Sequence, residues 1–242
     1  MRQRPFGLSL PGMLPIVLVL LVLAAAGGFW LAHWLLIRTE GVFLGRRVVV
    51  WLYDLAAGRY DVIKQFDPDA ESAFVTWPLR RRLKGWPAPL VLDVATGTGR
   101  LPYFLLQEPE FNGRVIGLDA SAGMLAHAQT KLTPFGDRAA LVQQSALDLP
   151  FGNAAFAAVT CLEALEFLPD TPGALREMAR VLRPGGVLLV SRRQGADASY
   201  FLGHTYDRDA FEEMLAALGL VDVRSQPWQV DYELVWARRP DG

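Results

Sequence analysis

An apolar segment over residues 13–37 constrains this chain more than any other feature, because it contains no Asp, Glu, Lys or Arg. A helix of that length extends about 37 Å at ~1.5 Å per residue, and the hydrocarbon core of a bilayer is ~30 Å thick. Trp30 and Trp34 lie one helical turn apart near its end, where amphipathic rings favour a membrane interface. The segment predicts one transmembrane helix, with residues 1–40 as tail and anchor.

Two other interpretations of this segment stay open on the sequence. A cleaved signal peptide would combine Arg2 and Arg4 with the apolar run and with the small residues 24–26 as cleavage site, although the run continues beyond them. A buried core helix would normally carry a polar face, and none precedes His33. A second apolar patch, residues 48–52, is too short to span a bilayer and suits either the membrane surface or the globular core.

Composition excludes several classes of function. The net charge of -1 offers no basic surface for nucleic acid, so we expect no nucleic-acid partner. The single cysteine, Cys161, excludes an intramolecular disulfide and a multi-cysteine metal site. The three histidines, His33, His127 and His204, lack metal-ligand spacing, so we expect no metal.

The rest of the chain alternates apolar runs with helical segments. We assign residues 41–89 to a juxtamembrane cap and residues 90–242 to the main domain. Strands are predicted over residues 90–95, 114–118, 139–144, 156–161, 187–191, 221–224 and 232–237, with a turn at 183–186. Helices are predicted over residues 101–107, 121–132, 173–182 and 207–218. This alternation predicts an α/β fold with a doubly wound, mostly parallel seven-stranded sheet. The last strand follows no helix, so it is expected to insert antiparallel.

Two predicted strand ends carry residues suited to a nucleotide-like ligand. Gly97 and Gly99 directly follow the first strand, where glycine lets the backbone turn and approach a ligand closely. Asp119 ends the second strand, and its carboxylate can accept hydrogen bonds from both hydroxyls of a ribose. Because such sheets bind ligands at the carboxyl ends of their strands, these residues predict one site. An ordinary strand–helix turn with a helix-capping Asp119 is the alternative.

Longer motifs around these positions resemble those of class I S-adenosylmethionine-dependent methyltransferases. Residues 91–99 and 117–125 carry this resemblance, and residues 149–151 and 175–186 are similar to the subgroup that includes ubiquinone/menaquinone C-methyltransferases. The resemblance covers roughly residues 53–237. It implies a Rossmann-like methyltransferase fold, S-adenosyl-L-methionine as cofactor and methyl transfer, and it says little about the substrate. The subgroup's histidine and tryptophan after a Tyr-Asp pair are missing here.

The resemblance also implies which positions hold the cofactor. These are Asp93, Ala95, Gly97, Gly99, Asp119, Ala120, Met124, Ser145, Ala146 and Cys161. Asp93 would support the loop around the methionine end, Asp119 would hold the ribose and Met124 would pack on the adenine. Ser145 stands where the family often has an aspartate, which weakens the contact with the adenine amino group because a hydroxyl replaces a carboxylate. Cys161 would border the methionine moiety.

The sequence leaves the catalytic residues open. The methyl carbon on a sulfonium is already electrophilic, so the protein mainly has to align nucleophile, methyl and sulfur. A general base helps where the nucleophile is protonated. The candidate bases are Glu163, Glu166, His204, Tyr206 and Tyr60, and each also suits a solvated or structural position.

The anchor favours a lipid-soluble or small hydrophobic acceptor, such as a quinone, a phospholipid or an isoprenoid, because tethering concentrates the enzyme where such molecules dissolve. Methylation of a soluble metabolite or protein is one alternative, and a non-catalytic membrane scaffold is another. Arginines flank the apolar segment on both sides in nearly equal number, so charge decides the orientation only weakly. The cofactor implied by the resemblance is made in the cytoplasm, which places the catalytic domain of this single-pass protein there.

Overall fold

The apolar N-terminal segment forms one long helix in the computed structural model, which describes residues 10–242. Helix α1 spans Leu10–His33 and continues through a π-helical turn, Trp34–Arg38. Met13–Arg38 has a mean hydropathy of 2.5 and is long enough to cross a membrane, and its most apolar window has no buried residue. The interpretation as a core helix is therefore wrong, whereas Arg2 and Arg4 of the signal-peptide interpretation lie outside the described residues.

Short helices follow α1 and form the cap, and longer ones pack against the sheet. The helices are α2 (Arg46–Ala56), α3 (Tyr60–Lys64), α4 (Pro68–Glu71), α5 (Trp77–Arg82), α6 (Arg100–Gln107), α7 (Ala122–Leu132), α8 (Thr171–Val181) and α9 (Arg208–Ala217). Side chains cap four of them, because Asp67, Ser121, Asp170 and Asp207 each accept a backbone N–H from the first turn.

A seven-stranded sheet organises the main domain, in the order β3-β2-β1-β4-β5-β7-β6. The strands are β1 (Leu90–Val94), β2 (Arg114–Asp119), β3 (Ala139–Gln143), β4 (Phe156–Cys161), β5 (Leu182–Arg193), β6 (Val221–Gln229) and β7 (Tyr232–Arg238). The first five run parallel, and β7 lies antiparallel between β5 and β6. The predicted sheet and its antiparallel last strand are confirmed.

Successive residues of the central strands fill two hydrophobic layers, one on each face of the sheet. Leu92 and Val94 of β1 pack into one layer, while Val91 packs into the other. In β5 the same alternation sends Leu188 to the first layer and Leu189 to the second. Both faces are thus covered, which explains why the central strands are continuous apolar runs in the sequence.

Two local predictions were wrong. The predicted turn at residues 183–186 lies inside β5, because Leu182 already pairs with Phe156 and the ladder resumes at Val187. The residues between them bulge outward, with Gly185 at a φ of 73°. Strand β6 extends to Gln229 beyond its predicted end, and it accommodates Pro227 because it lies at the edge of the sheet.

Candidate functional site

The loop after β1 turns sharply toward the carboxyl ends of the strands. Ala95, Gly97 and Gly99 adopt φ values of 54°, 56° and 77°, which favour glycine. A Cβ at Gly99 would come within 3.2 Å of the side chains of Ala128 and Leu132, so this glycine lets the loop pack against α7. A Cβ at Gly97 would meet only the Tyr60 ring, at 4.0 Å, so this side of the loop is open.

Asp119 is held by the backbone on both sides of its carboxylate. One oxygen accepts the N–H of Gly97 at 2.8 Å, and the other accepts the N–H of Ser121 at 2.9 Å. Burial raises the pKa of Asp119, and these backbone donors oppose the shift. Each carboxylate oxygen has a second lone pair, so the fixed side chain can still accept hydrogen bonds from a ligand.

Asp93 supports the same loop from inside the protein. Its carboxylate accepts hydrogen bonds from the hydroxyls of Thr96 and Thr160, both at 2.6 Å. Burial raises the pKa of Asp93 to about 6, although the two hydroxyls favour the ionised form. Asp93 therefore braces the loop and is not part of the cavity wall.

A cavity opens above these strand ends and encloses about 770 Å³ of empty space, including its mouth. Six of the ten predicted cofactor positions line it: Ala95, Gly97, Asp119, Ala120, Ser145 and Ala146. The other four, Asp93, Gly99, Met124 and Cys161, are buried behind the wall. Burial also raises the pKa of the Cys161 thiol well above its ordinary value.

Helix α2 supplies a wall of the cavity that the sequence analysis missed. Arg46, Val49, Val50 and Tyr53 all line the cavity, and their spacing places them on one face of the helix. The hydroxyl of Tyr53 donates to the carboxylate of Glu40 at 2.8 Å. The helical spacing was visible in the sequence, whereas nothing in the sequence pointed to Glu40.

Glu163 lines the cavity as the centre of a buried ion network. It accepts from Lys64 at 2.9 Å and from Arg100 at 2.7 Å, and Arg100 also faces Glu71 at 3.5 Å. Burial opposes ionisation of Glu163, but the two cations outweigh it and lower its pKa to about 2. Two cations already contact this carboxylate, so these ion pairs argue against Glu163 as the general base.

The other candidate bases divide between two places. Tyr60 lines the cavity, and burial raises its pKa to about 12. Glu166, His204 and Tyr206 instead surround a separate small pocket outside the cavity wall. There the Glu166 carboxylate accepts from Tyr232 and Arg193, so it is engaged in the fold.

Comparisons with known proteins agree with this geometry. Residues 91–186 match a protein family described as "Methyltransferase domain". The demethylmenaquinone methyltransferase of Lactiplantibacillus plantarum is 45% identical over 101 residues, which cover 41% of this chain and 43% of that protein. The ubiquinone/menaquinone biosynthesis C-methyltransferase UbiE of Hahella chejuensis is 41% identical over 102 residues, which cover 41% of each chain. The match thus spans less than half the length of these relatives.

The crystal structure of the [4+2]-cyclase SpnF superposes with a TM-score of 0.66 over 80% of this chain and 96% of that one. Its sequence identity is 18%, so it supports the fold alone. Strand order, strand-end residues and sequence matches define the class: the chain carries a class I S-adenosylmethionine-dependent methyltransferase domain. The two relatives named above are a demethylmenaquinone methyltransferase and a ubiquinone/menaquinone biosynthesis C-methyltransferase, which agrees with the subgroup that the motifs predicted.

The cavity fits the cofactor of this class. The Asp119 carboxylate is held by two backbone N–H groups and can still accept hydrogen bonds, and Gly97 leaves the loop open toward the cavity. Ser145 lines the cavity, whereas Asp148, three residues later, is exposed and outside the wall. Over residues 10–242, no group of three or more His, Cys, Asp or Glu side chains suits a metal ion.

Proposed function

We propose that this protein is a membrane-anchored, S-adenosylmethionine-dependent methyltransferase that acts on a lipid-soluble or small hydrophobic acceptor. The observation that carries the proposal is that α2 lies next to the apolar helix and also lines the cavity. This helix begins eight residues after Arg38, where the apolar N-terminal helix ends, and it forms a wall of the cofactor cavity through Val49 and Tyr53. A cavity so close to a membrane anchor suits an acceptor that is dissolved in the membrane.

Each strand end has a proposed part in holding the cofactor. Asp119 would accept hydrogen bonds from the ribose hydroxyls, Ala95 and Gly97 would face the methionine end, and Ser145 and Ala146 would border the adenine. When bound, S-adenosylmethionine supplies an electrophilic methyl group. The chain then has to hold the acceptor in line, exclude water and remove a proton where the nucleophile carries one.

The cavity wall supports a hydrophobic acceptor. Val50, Phe167, Leu168 and Pro169 line the cavity beside Val49, and few charged side chains join them. The names of the relatives, demethylmenaquinone methyltransferase and ubiquinone/menaquinone C-methyltransferase, both denote quinone substrates. We therefore propose a quinone-type ring, in its reduced and nucleophilic form, as the first acceptor to test.

The experiment uses the full chain in lipid nanodiscs with S-adenosylmethionine that carries a labelled methyl group. Reduced demethylmenaquinone or a native lipid extract serves as acceptor, and the Asp119→Ala variant serves as the cofactor-site control. We expect label in the lipid-soluble fraction with the parent chain and a large loss with the variant. Label only in protein or in water-soluble products would support the soluble-substrate alternative. Absence of cofactor binding would support the scaffold alternative.

A further inference from the structure

The outer face of α2 carries apolar side chains that are mostly exposed. Val49 and Tyr53 point to the inside of the protein, whereas Trp51 and Leu55, one turn apart, are 55% and 65% exposed. Arg47 lies one turn before Trp51 on the same stripe and is also exposed. The helix is therefore apolar on both faces. A helix whose outer face meets only water normally carries polar residues there.

Helix α3 repeats this pattern beside it. Its polar residues are tied to the domain: Asp61 accepts from Thr98 at 2.5 Å, and Lys64 pairs with Glu163. These contacts fix the orientation of the helix and leave Val62 and Ile63 pointing outward, 74% and 66% exposed. The polar contacts with the domain thus orient α3 so that its apolar side chains, like those of α2, face outward.

The exposed residues continue directly from the end of the apolar N-terminal helix. The Trp34 ring stacks on the Phe43 ring with 5.3 Å between centroids and 9° between planes. The Gly41 N–H donates to the Leu35 carbonyl at 2.8 Å, and the Arg38 guanidinium lies 5.0 Å from the Tyr200 ring. These contacts hold the end of the helix against the domain, so the adjoining surface lies where the helix would leave a membrane.

We propose that this surface is a second membrane contact, which rests in the headgroup region of the bilayer beside the anchor. The interfacial patch, as we name it, consists of Phe43, Leu44, Trp51, Leu55, Val62 and Ile63. Exposed apolar side chains next to basic ones are typical of interfacial helices, and Arg46, Arg47 and Arg59 supply the charge for anionic lipids. The proposal rests on the anchor of the proposed function and adds the lipid surface itself as a partner.

The patch gives the cavity a defined relation to the membrane. Because α2 forms both the patch and a wall of the cavity, the cavity would lie about one helix diameter, ~10 Å, from the lipid. An acceptor dissolved in the bilayer could then enter the cavity without crossing bulk water. The patch would add a second point of contact beside the anchor and so fix the tilt of the domain against the bilayer.

The test measures the depth of single probes on the full chain in vesicles of phosphatidylcholine and phosphatidylglycerol. Cys161 is fully buried, so introduced thiols are the reactive ones in the folded protein. Leu55→Cys and Ile63→Cys carry an environment-sensitive fluorophore on the patch. Val221→Cys is the matched control, because this partly exposed residue begins β6 at the opposite, amino-terminal end of the parallel strands.

We expect the probes at 55 and 63 to shift to the blue and to be quenched several-fold more by lipid-borne quenchers than the probe at 221. Equal quenching at all three positions would overturn the patch, whatever the activity of the protein. A Leu55→Glu, Ile63→Glu double variant should keep its cofactor affinity and its membrane insertion but lose methyl transfer several-fold in vesicles and not in detergent. If the probes at 55 and 63 insert into the bilayer but the protein transfers no methyl group, the patch is supported and the proposed function is contradicted.

Discussion

Three carboxylates at the strand ends differ in their surroundings, and the difference separates their functions. Asp119 accepts only backbone N–H groups and keeps lone pairs that face the cavity. Asp93 is closed off by two hydroxyls and holds the loop. Glu163 is neutralised by Arg100 and Lys64, which makes it a counter-ion. Residue type alone does not distinguish these cases, because all three are acids at the end of an apolar strand.

Replacement of Asp119 tests the cofactor site most directly. Asp119→Ala removes the proposed ribose contacts and frees the backbone N–H groups of Gly97 and Ser121. We expect the variant to lose about 1–3 kcal/mol of binding free energy for S-adenosylmethionine, measured by calorimetry. Asp148→Ala is the control, since Asp148 is exposed and outside the cavity. Unchanged affinity in Asp119→Ala would contradict the assigned ribose contact.

Replacement of Glu163 tests the buried ion network through its pH dependence. The pKa of Glu163 in the folded protein, about 2, lies below the ordinary value of 4.5. Its stabilisation is therefore fully present above pH 4.5 and is lost as the pH falls toward 2. Glu163→Gln leaves Arg100 and Lys64 without this partner, so we expect the free energy of unfolding at pH 7 to fall by ~3–5 kcal/mol.

Thermal unfolding in detergent at pH 7, 5 and 3 measures this effect. The parent chain should lose stability over this acidic range more steeply than Glu163→Gln, because the variant lacks the titrating group. Glu110→Gln is the matched control, since Glu110 pairs with Arg80 on the surface and such pairs contribute little. Parallel pH profiles of the parent and Glu163→Gln would show that the network does not depend on Glu163.

The Glu40–Tyr53 hydrogen bond links the end of the apolar helix to the cavity. Burial, reinforced by Glu40, raises the pKa of Tyr53 well above its ordinary value, so its hydroxyl stays protonated as a donor. We expect Glu40→Ala and Tyr53→Phe each to lower kcat while cofactor affinity is kept. The double variant should be no worse than the poorer single variant, because both remove one interaction. Additive losses in steady-state kinetics would contradict this coupling.

At the scale of elements, the sequence predicted best what burial determines. Strand β4 runs from Phe156 to Cys161 as predicted, because both of its faces are covered and every residue is buried. The Pro-Gly-Gly signal before Val187 predicted a turn, but sheet pairing on both sides of it absorbed those residues as a bulge. Local turn signals report the preference of a short segment, and tertiary pairing can override it.

The residues of the candidate site also differ in how far the sequence could predict them. Gly97 and Asp119 were predictable because each adjoins its strand in sequence, so the sheet alone brings them together. The positions of Glu163 and Glu166 were not predictable, because they depend on the loop after β4. That loop turns at Glu163, whose φ is 52°, and directs Glu166 into a separate pocket. Tyr53 depends on the packing of a cap helix that carries no motif long enough to recognise.

Helix α1 carries its own prediction, which separates the anchor from the signal peptide. The helix is continuous across the small residues 24–26, and apolar residues extend to Ile37. We expect the chain to keep its N-terminus and to remain in the membrane fraction after carbonate extraction. Intact-mass analysis measures the first point directly. A mature chain that begins near Gly27 would establish the signal peptide instead.

At the scale of the whole molecule, the apolar helix, the interfacial patch and the cavity share one side. Helix α2 connects them, since its outer face carries Trp51 and its inner face carries Tyr53. The membrane would thus act on the site in two ways, by concentrating the acceptor and by fixing the direction from which it arrives.

The orientation across the membrane is the last property that this arrangement predicts. Three arginines, Arg38, Arg46 and Arg47, follow the apolar segment closely and two precede it, which only weakly favours a cytoplasmic domain. The cofactor indicates the orientation more strongly. S-adenosylmethionine is made in the cytoplasm, so the cavity has to be accessible from that side. A reporter fused after Gly242 that matures only in the cytoplasm should therefore be active. Its counterpart that matures only outside should be silent, and the reverse result would place the catalytic domain on the wrong side for its cofactor.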